Sequence, residues 1–224
     1  MPTVLITGAS RGIGFEFVRQ YAADGWRVLA TCRTPAKAVA LGALGANVEL
    51  HALDVTDTPS VEALGRALAH ETIDVLIANA GIYIARDMKV TQVDTKAWLD
   101  SFAINAIAPI ACAGAFLAQV ARSSERKMLA VSSAVGSVGN IVDGGYYVYR
   151  SSKAALNSAW RIFAVDPPEV IATLLSPGRV RTDMNPRAPL APEESIAGLR
   201  RIIARLTPQD SGRFFRYDGQ VLPL

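Results

Sequence analysis

Short apolar, β-branched runs alternate along the chain with longer stretches of helical composition. The runs are Thr3 to Thr7, Arg27 to Thr31, Asn47 to His51, Ile73 to Ala78, Lys127 to Ser132 and Val170 to Leu175, with a seventh candidate at Phe214 to Leu222. Such alternation predicts a parallel sheet with crossover helices. Several runs are apolar throughout rather than every second residue, the pattern of strands covered by helices on both faces. One helical stretch, Ser101 to Ala121, carries no charge and is long enough to span a bilayer. Asn105, Pro109, Gly114 and Gln119 interrupt it and much of the rest is Ala, so it reads as a helix buried against the core or a partner subunit.

Composition narrows the class without changing the pattern. With 224 residues, half of them hydrophobic and 19% charged, the chain is long enough for one domain with a sizeable core and too apolar for disorder. The net charge is +3. Residues 1–175 balance, and the excess lies in the last 49, where Arg179, Arg181, Arg187, Arg200, Arg201, Arg205, Arg213 and Arg216 are separated by acids and prolines. That arrangement reads as a solvated face rather than a nucleic-acid surface. Cys32 and Cys112 lie far apart among apolar neighbours, as reduced thiols of a cytoplasmic protein do. The N-terminus enters an apolar run directly, without the basic region or cleavage site of a signal peptide, and no linker divides the sequence.

The first run leads into Thr7-Gly8-Ala9-Ser10-Arg11-Gly12-Ile13-Gly14, with a helix expected from near Phe15. Glycines there let the backbone turn tightly and approach a pyrophosphate, and the helix N-terminus offers free amides and a positive dipole end. The position of this turn, at the end of the first strand of a βαβ unit, predicts a dinucleotide site lined by Gly8, Ser10, Arg11, Gly12, Ile13 and Gly14. The second run ends Ala30-Thr31-Cys32-Arg33-Thr34, with Arg33 where an acid would hold the ribose hydroxyls of NAD. Arg33 and Arg11 therefore predict NADP(H) over NAD(H). After the third run Asp54 and Val55 are placed to meet the adenine, although Asp54 equally suits the cap of a helix starting near Pro59. The fourth run ends in Asn79-Ala80-Gly81, where small residues would let the backbone lie against the ribose.

Tyr149 and Lys153 stand four residues apart in a helical context, which puts a phenol and an ammonium on one face. The lysine would favour the phenolate and make Tyr149 a candidate general acid/base. Tyr146 has Arg150 at the same spacing and Tyr147 has Ser151. An arginine is always charged and cannot supply the same tunable contact, so Tyr146 and Tyr147 are expected to line a pocket or pack.

The glycine turn, Asn79-Ala80-Gly81 and Tyr149/Lys153, in this order, resemble the short-chain dehydrogenase/reductase family over essentially the whole chain. The resemblance implies a single Rossmann domain over residues 1–224, with a seven-stranded, mostly parallel sheet. It implies Tyr149 as acid/base, Lys153 on the nicotinamide ribose, Ser133 orienting a substrate carbonyl with Ser132 as the fallback, and Asn105 holding a water in a proton relay. It also implies that Pro177, Gly178, Val180 and Thr182 flank the nicotinamide. The C-terminal part resembles the carbonyl-reductase subgroup that includes Sniffer-type and C-factor-like proteins. Two departures stand out: a short link at Pro167-Pro168, and a Pro-rich substrate lid reduced to about residues 183–192, which leaves the pocket open. The expectation is NADPH-dependent reduction of an aldehyde, ketone or quinone by a homodimer or homotetramer without metal, nucleic acid or membrane. The rival is a cofactor-binding regulatory protein.

Overall fold

The structure is a computed structural model describing residues 1–166 and 169–224. The Pro167-Pro168 link therefore lies outside the described residues. Among the described residues seven strands form one sheet: β1 (Thr3–Ile6), β2 (Arg27–Cys32), β3 (Val48–Ala52), β4 (Val75–Ala78), β5 (Lys127–Val131), β6 (Ile171–Ser176) and β7 (Phe214–Arg216). Their order is β3-β2-β1-β4-β5-β6-β7, and every neighbouring pair is parallel. All seven expected runs contain strands, and the first six have their ends shifted by a residue or two. The seventh is shorter than its apolar run, because the chain turns after Arg216 and Val221 returns to bridge Phe215.

Alternation along the strands divides the core in two. Val4 and Ile6 of β1 face one layer with Val28, Ala30, Val75 and Ile77, and Leu5 faces the other with Leu29, Leu76 and Met128. Helices α1 (Gly12–Ala23) and α7 (Pro192–Arg205) cover the first layer. On the second lie α3 (Thr58–Ala67), α5 (Ala108–Ala121) and α6 (Tyr147–Phe163). The short α2 (Val39–Gly42) and α4 (Thr95–Phe102) complete the set. Burial on both faces explains why the strands read as continuous apolar runs. Helix α1 starts at Gly12, three residues before the expected Phe15, so Gly12 and Gly14 belong to its first turn.

The uncharged stretch is part of one helical rod, Thr95–Ala121, long and apolar enough to cross a membrane. Cys112, Ala113, Phe116 and Val120 are buried in the core, whereas Leu99 and Ile107 are exposed, so the rod is buried along one side only. It is not a uniform α-helix. A π-turn spans Ala103–Ile107, and the Ala108 amide donates to the Ala103 carbonyl five residues back. Pro109 then has no amide hydrogen for the carbonyl of Asn105 four residues earlier.

Candidate active site

Strand order reverses between β1 and β4, and the carboxyl ends of the strands there open into a cleft, as open α/β sheets do at such a switch point. The cleft encloses a cavity of about 290 Å³. Of the site residues expected from sequence, Gly8, Ser10, Arg11, Gly12, Ile13, Gly14, Arg33, Asp54, Val55, Asn79, Ala80, Gly81, Tyr149, Lys153, Pro177 and Thr182 all line it. Residues up to 174 positions apart in the chain thus meet around one cavity.

The glycine turn is held by the fourth strand. Asn79 Nδ2 donates to the carbonyls of Thr7 and Gly8 at 2.9 and 3.1 Å, and Thr7 Oγ1 accepts from the amides of Asn79 and Ala80 at 3.0 and 3.1 Å. A Cβ on Gly14 would collide with the Gly8 carbonyl and come within 2.5 Å of Asn79 Nδ2. On Gly8, which has φ +66°, it would lie 2.8 Å from Ala80 Cα. These glycines are therefore required by backbone-on-backbone packing. Arg11 stands at the N-cap of α1 and makes no side-chain cap, which leaves the first-turn amides of Gly12, Ile13 and Gly14 uncapped beside the cavity. Free amides and a positive dipole end fit the pyrophosphate of a dinucleotide.

At the far end of the cleft, Asp54 Oδ1 accepts from the Thr56 amide at 2.9 Å and its hydroxyl at 2.7 Å. These bonds, aided by Arg33, hold the Asp54 carboxylate below its usual pKa. Asp54 does not cap the next helix: that position belongs to Asp57, whose side chain makes no cap bond. Arg33 is exposed at the rim, and Arg11 lies 3.8 Å from the Asp183 carboxylate across the cleft mouth.

At the other end α6 carries Tyr149 and Lys153 on its first two turns. Lys153 Nζ donates to the Val131 carbonyl at 2.8 Å and sits 5.9 Å from the centre of the Tyr149 ring. Burial pulls the Lys153 pKa down to about 8. The expectation that Lys153 draws Tyr149 downward does not hold in this cleft. Burial pushes Tyr149 up to about 12, against a lowering hydrogen bond from Ser133, with Tyr83 adding to the rise. The cause is distance and desolvation: the ammonium is engaged by a backbone carbonyl, and the phenolate would lose its water. Tyr149 is a protonated donor at neutral pH.

The two serines differ in their partners. Ser132 borders the cavity, but its hydroxyl donates to Asn157 Oδ1 at 2.6 Å in the interior. Ser133 follows at the N-cap of a 3-10 turn, where its hydroxyl accepts from the Val135 amide; it does not line the cavity, and its bearing on Tyr149 is the lowering effect on the phenol pKa. Asn105 is fully buried, and its side chain is consumed: Oδ1 accepts from the Ile82 amide at 2.9 Å, while Nδ2 donates to the Ile82 carbonyl at 2.9 Å and Ser152 Oγ at 3.0 Å. Ser152 Oγ donates onward to the Tyr149 carbonyl at 2.8 Å, so Asn105 is tied to the first turn of α6. Asn105 itself does not line the cavity, and Pro109 has no amide hydrogen to offer its carbonyl.

Gly178 and Val180 do not line the cavity. Val180 is buried and bridges Leu190, but that pairing uses the Arg181 amide and Arg179 carbonyl and leaves the Val180 amide outside it. Gly178, at φ +79°, sits where a Cβ would strike the Tyr217 ring at 2.9 Å. Sequence reasoning missed Thr7 and Ser152, which position site residues, Tyr83, which packs on Tyr149, and Arg86, which covers Tyr83. Thr7 was within reach as a hydroxyl at a strand end; the other contacts depend on tertiary packing.

Comparison with known proteins agrees with this geometry. The short chain dehydrogenase family model matches residues 2–192. The C-signal protein of Myxococcus xanthus is 40% identical over 154 residues, covering 67% of this chain and 92% of that protein. Among solved structures, the carbonyl reductase Sniffer of D. melanogaster superposes with a TM-score of 0.91 at 30% identity, covering both chains fully. An NADPH-bound carbonyl reductase from chicken fatty liver gives a TM-score of 0.91 at 30% identity over 100% of this chain and 99% of its own. With a doubly wound seven-stranded sheet, a glycine turn at its switch point and a Tyr/Lys pair facing the same cavity, the chain belongs to the short-chain dehydrogenase/reductase family of oxidoreductases, near its Sniffer and C-signal members.

Proposed function

We propose that the protein reduces a carbonyl compound, an aldehyde, ketone or quinone, to an alcohol with NADPH. The observation that carries this reading is a protonated Tyr149 hydroxyl within reach of Ser133, at one end of a cleft whose other end is the glycine turn. NADPH, when bound, supplies the hydride. Tyr149 donates its proton to the carbonyl oxygen as negative charge develops there, and Ser133 hydrogen-bonds the same oxygen. Lys153, buried beside Tyr149, would hold the ribose hydroxyls. Asn105 holds a water through its backbone carbonyl and so returns a proton to that chain of groups. The first-turn amides of α1 would hold the pyrophosphate, Asp54 and Val55 would border the adenine, and Pro177 and Thr182, which line the cavity, would meet the nicotinamide end, with Gly178 and Val180 behind them.

Preference for NADPH over NADH is supported by Arg33 at the rim, by Arg11, and by the lack of an acid at the end of β2. Residues 183–192 act as a short lid, a reading supported by the Arg86 Nη2 bond to the Met184 carbonyl at 2.5 Å. The exposed Leu99, Ile107, Ile162 and Val165 on the α4–α5 rod and around the end of α6 support a homodimer or homotetramer. Similarity to the C-signal protein favours one alternative, a cofactor-binding signalling protein with little turnover.

The test is consumption of NADPH, followed by absorbance, with a panel of aldehydes, ketones and quinones. Turnover that falls about a thousandfold in Tyr149→Phe supports the reading. Turnover unaffected by that change would sink the role of Tyr149, and NADPH binding without turnover of any carbonyl would favour the signalling alternative.

A further inference from the structure

The turn after β6, Pro177-Gly178, is held by two residues that do not themselves line the cavity. Pro177 does line it, and the Pro177 carbonyl accepts from the Ser195 hydroxyl at 2.7 Å. Ser195 stands in the first turn of α7 and is completely buried, so no water competes for this bond. The buried face of α7 is otherwise Ile196, Gly198, Leu199, Ile202 and Ile203. Its one polar side chain is thus spent on the residue that borders the cleft.

The second residue is Tyr217, on the turn that follows β7. A Cβ added to Gly178 would lie 2.9 Å from Tyr217 Cε1 and 3.0 Å from Cδ1. The opposite edge of the same ring, at Cδ2, is 3.4 Å from where a Cβ on Gly198 would stand, and the Tyr217 carbonyl would collide with that atom. Tyr217 is therefore wedged between α7 and the Pro177-Gly178 turn. A glycine inside a helix costs about 1 kcal/mol against alanine, and the close approach of Tyr217 accounts for the one at 198. The wedge has a fixed backbone: the Tyr217 amide donates to the Ser176 carbonyl at 2.9 Å, and the Arg216 amide to the Gln220 carbonyl at 2.8 Å. Beyond it Leu222 is buried, and its amide donates to the Phe214 carbonyl at 2.7 Å.

We infer that Ser195 and Tyr217 are positioning residues for the nicotinamide half of the cofactor, an inference that rests on the cofactor site proposed above. They clamp the Pro177-Gly178 turn so that its cavity face is presented in one arrangement. Both lie beyond residues 2–192, the stretch that the family model matches. The pyrophosphate and adenine ends of the cleft are built from other strand ends, so the clamp acts on one half of the dinucleotide. A loop already rigid in its binding arrangement loses less entropy when the ligand arrives.

The test compares two nucleotides on the full chain. Titration calorimetry with NADPH, and with 2′-phospho-ADP-ribose, which is the same nucleotide without its nicotinamide ring, gives the ratio of the two affinities. In Tyr217→Ala, NADPH should bind about tenfold more weakly while the truncated nucleotide stays within about twofold of normal. Ser195→Ala should lower the ratio about fivefold through loss of one buried hydrogen bond. Tyr217→Phe, which keeps the ring, should leave the ratio unchanged. A merely structural role would weaken both nucleotides together. Ser195→Ala removes a single heavy atom, and it decides the question if Tyr217→Ala does not fold. A ratio unaffected by the alanine variants, parallel loss of both nucleotides, or equal affinities in the unaltered protein would each overturn the positioning roles. Binding of neither nucleotide would overturn them together with the cofactor site. The expected ratios in a protein that reduces no carbonyl would leave the two roles standing and remove the reductase reading instead.

Discussion

At the glycine-turn end of the cleft, main chain lies on main chain: Gly8 against Ala80, Gly14 against Gly8, with Asn79 and Thr7 cross-linking the two strand ends. At the Tyr149 end the walls are loops, with Val138, Ile141, Val142 and Tyr146 open to solvent and side chains rather than backbone making the contacts. The first end presents backbone amides at fixed positions and tolerates no added atom. The second presents side chains whose protonation depends on burial. Shape decides what binds at one end, and proton affinity decides what reacts at the other.

The largest expected effect separates chemistry from scaffolding within two adjacent residues. Ser133→Ala should lower kcat by about 10²- to 10³-fold, the usual consequence of losing one donor to a developing oxyanion, with little change in stability. Ser132→Ala should do the reverse, costing about 1–3 kcal/mol in denaturant unfolding because Asn157 loses its buried partner, and leaving kcat close to normal. If the effects were exchanged, the roles of the two serines would be exchanged as well.

Next comes pH, which probes the buried groups at the Tyr149 end. Lys153 is drawn from 10.5 to about 8, so between those values the unfolded chain holds a proton that the folded one has released. Stability should therefore rise with pH from about 8 to 10.5, by at most about 3 kcal/mol for this group. Tyr149 is displaced the other way, from 10.0 to about 12. There the folded form keeps a proton that the unfolded form has lost, and stability should fall as pH climbs from 10 to 12. Tyr21 and Cys112, also raised to about 12, add to that fall. The clean readout is the difference between the unaltered protein and Lys153→Met in unfolding experiments from pH 7 to 10.5; a flat difference would refute the buried, depressed lysine.

The sequence predicts the glycine-turn end far better than the Tyr149 end. Glycines that a backbone requires leave a mark at fixed spacing, and all six expected residues of the turn line the cavity. Continuous apolar runs revealed a sheet buried on both faces, because β-branched residues in short runs have few other uses. The spacing of Tyr149 and Lys153 showed that they share a helix face. It did not show that Lys153 would turn to the Val131 carbonyl, or that burial would outweigh its charge at Tyr149. Nor did it show that Tyr83, 66 residues away, would pack on Tyr149. Those outcomes belong to desolvation and to contacts between distant segments, which a local pattern does not encode.

A steric test addresses the glycine-turn end. Gly14→Ala pushes a methyl group into the Gly8 carbonyl and Asn79 amide, and it should cost about 1–3 kcal/mol of stability and weaken NADPH binding at least about tenfold. Gly114→Ala, at a helical site with nothing within 4 Å, is the control and should stabilise by about 0.5–1 kcal/mol. Equal behaviour of the two variants in thermal unfolding would show that the close packing at the turn is not what makes its glycine necessary.

The smallest effect tests whether the rigid end also reads charge. Arg33 is exposed at the cleft rim beyond Cys32, close enough to Asp54 to help lower its pKa. Its role in the proposed NADPH preference comes from attraction to a phosphate in a partly solvated place, where one charge pair contributes modestly. Arg33→Asp should therefore shift the NADPH-to-NADH affinity ratio by about tenfold or a little more, and leave the thermal midpoint unchanged because the side chain makes no hydrogen bond or ion pair among the described residues. Arg11 is left in place, so the preference should weaken without reversing fully. Raising ionic strength should shrink the difference between the variant and the unaltered protein, since exposed charges are screened within about 10 Å at 0.1 M salt. A ratio that ignores both the substitution and the salt would mean that the cleft selects its cofactor by shape alone, and the contrast between its two ends would be sharper than the charges imply.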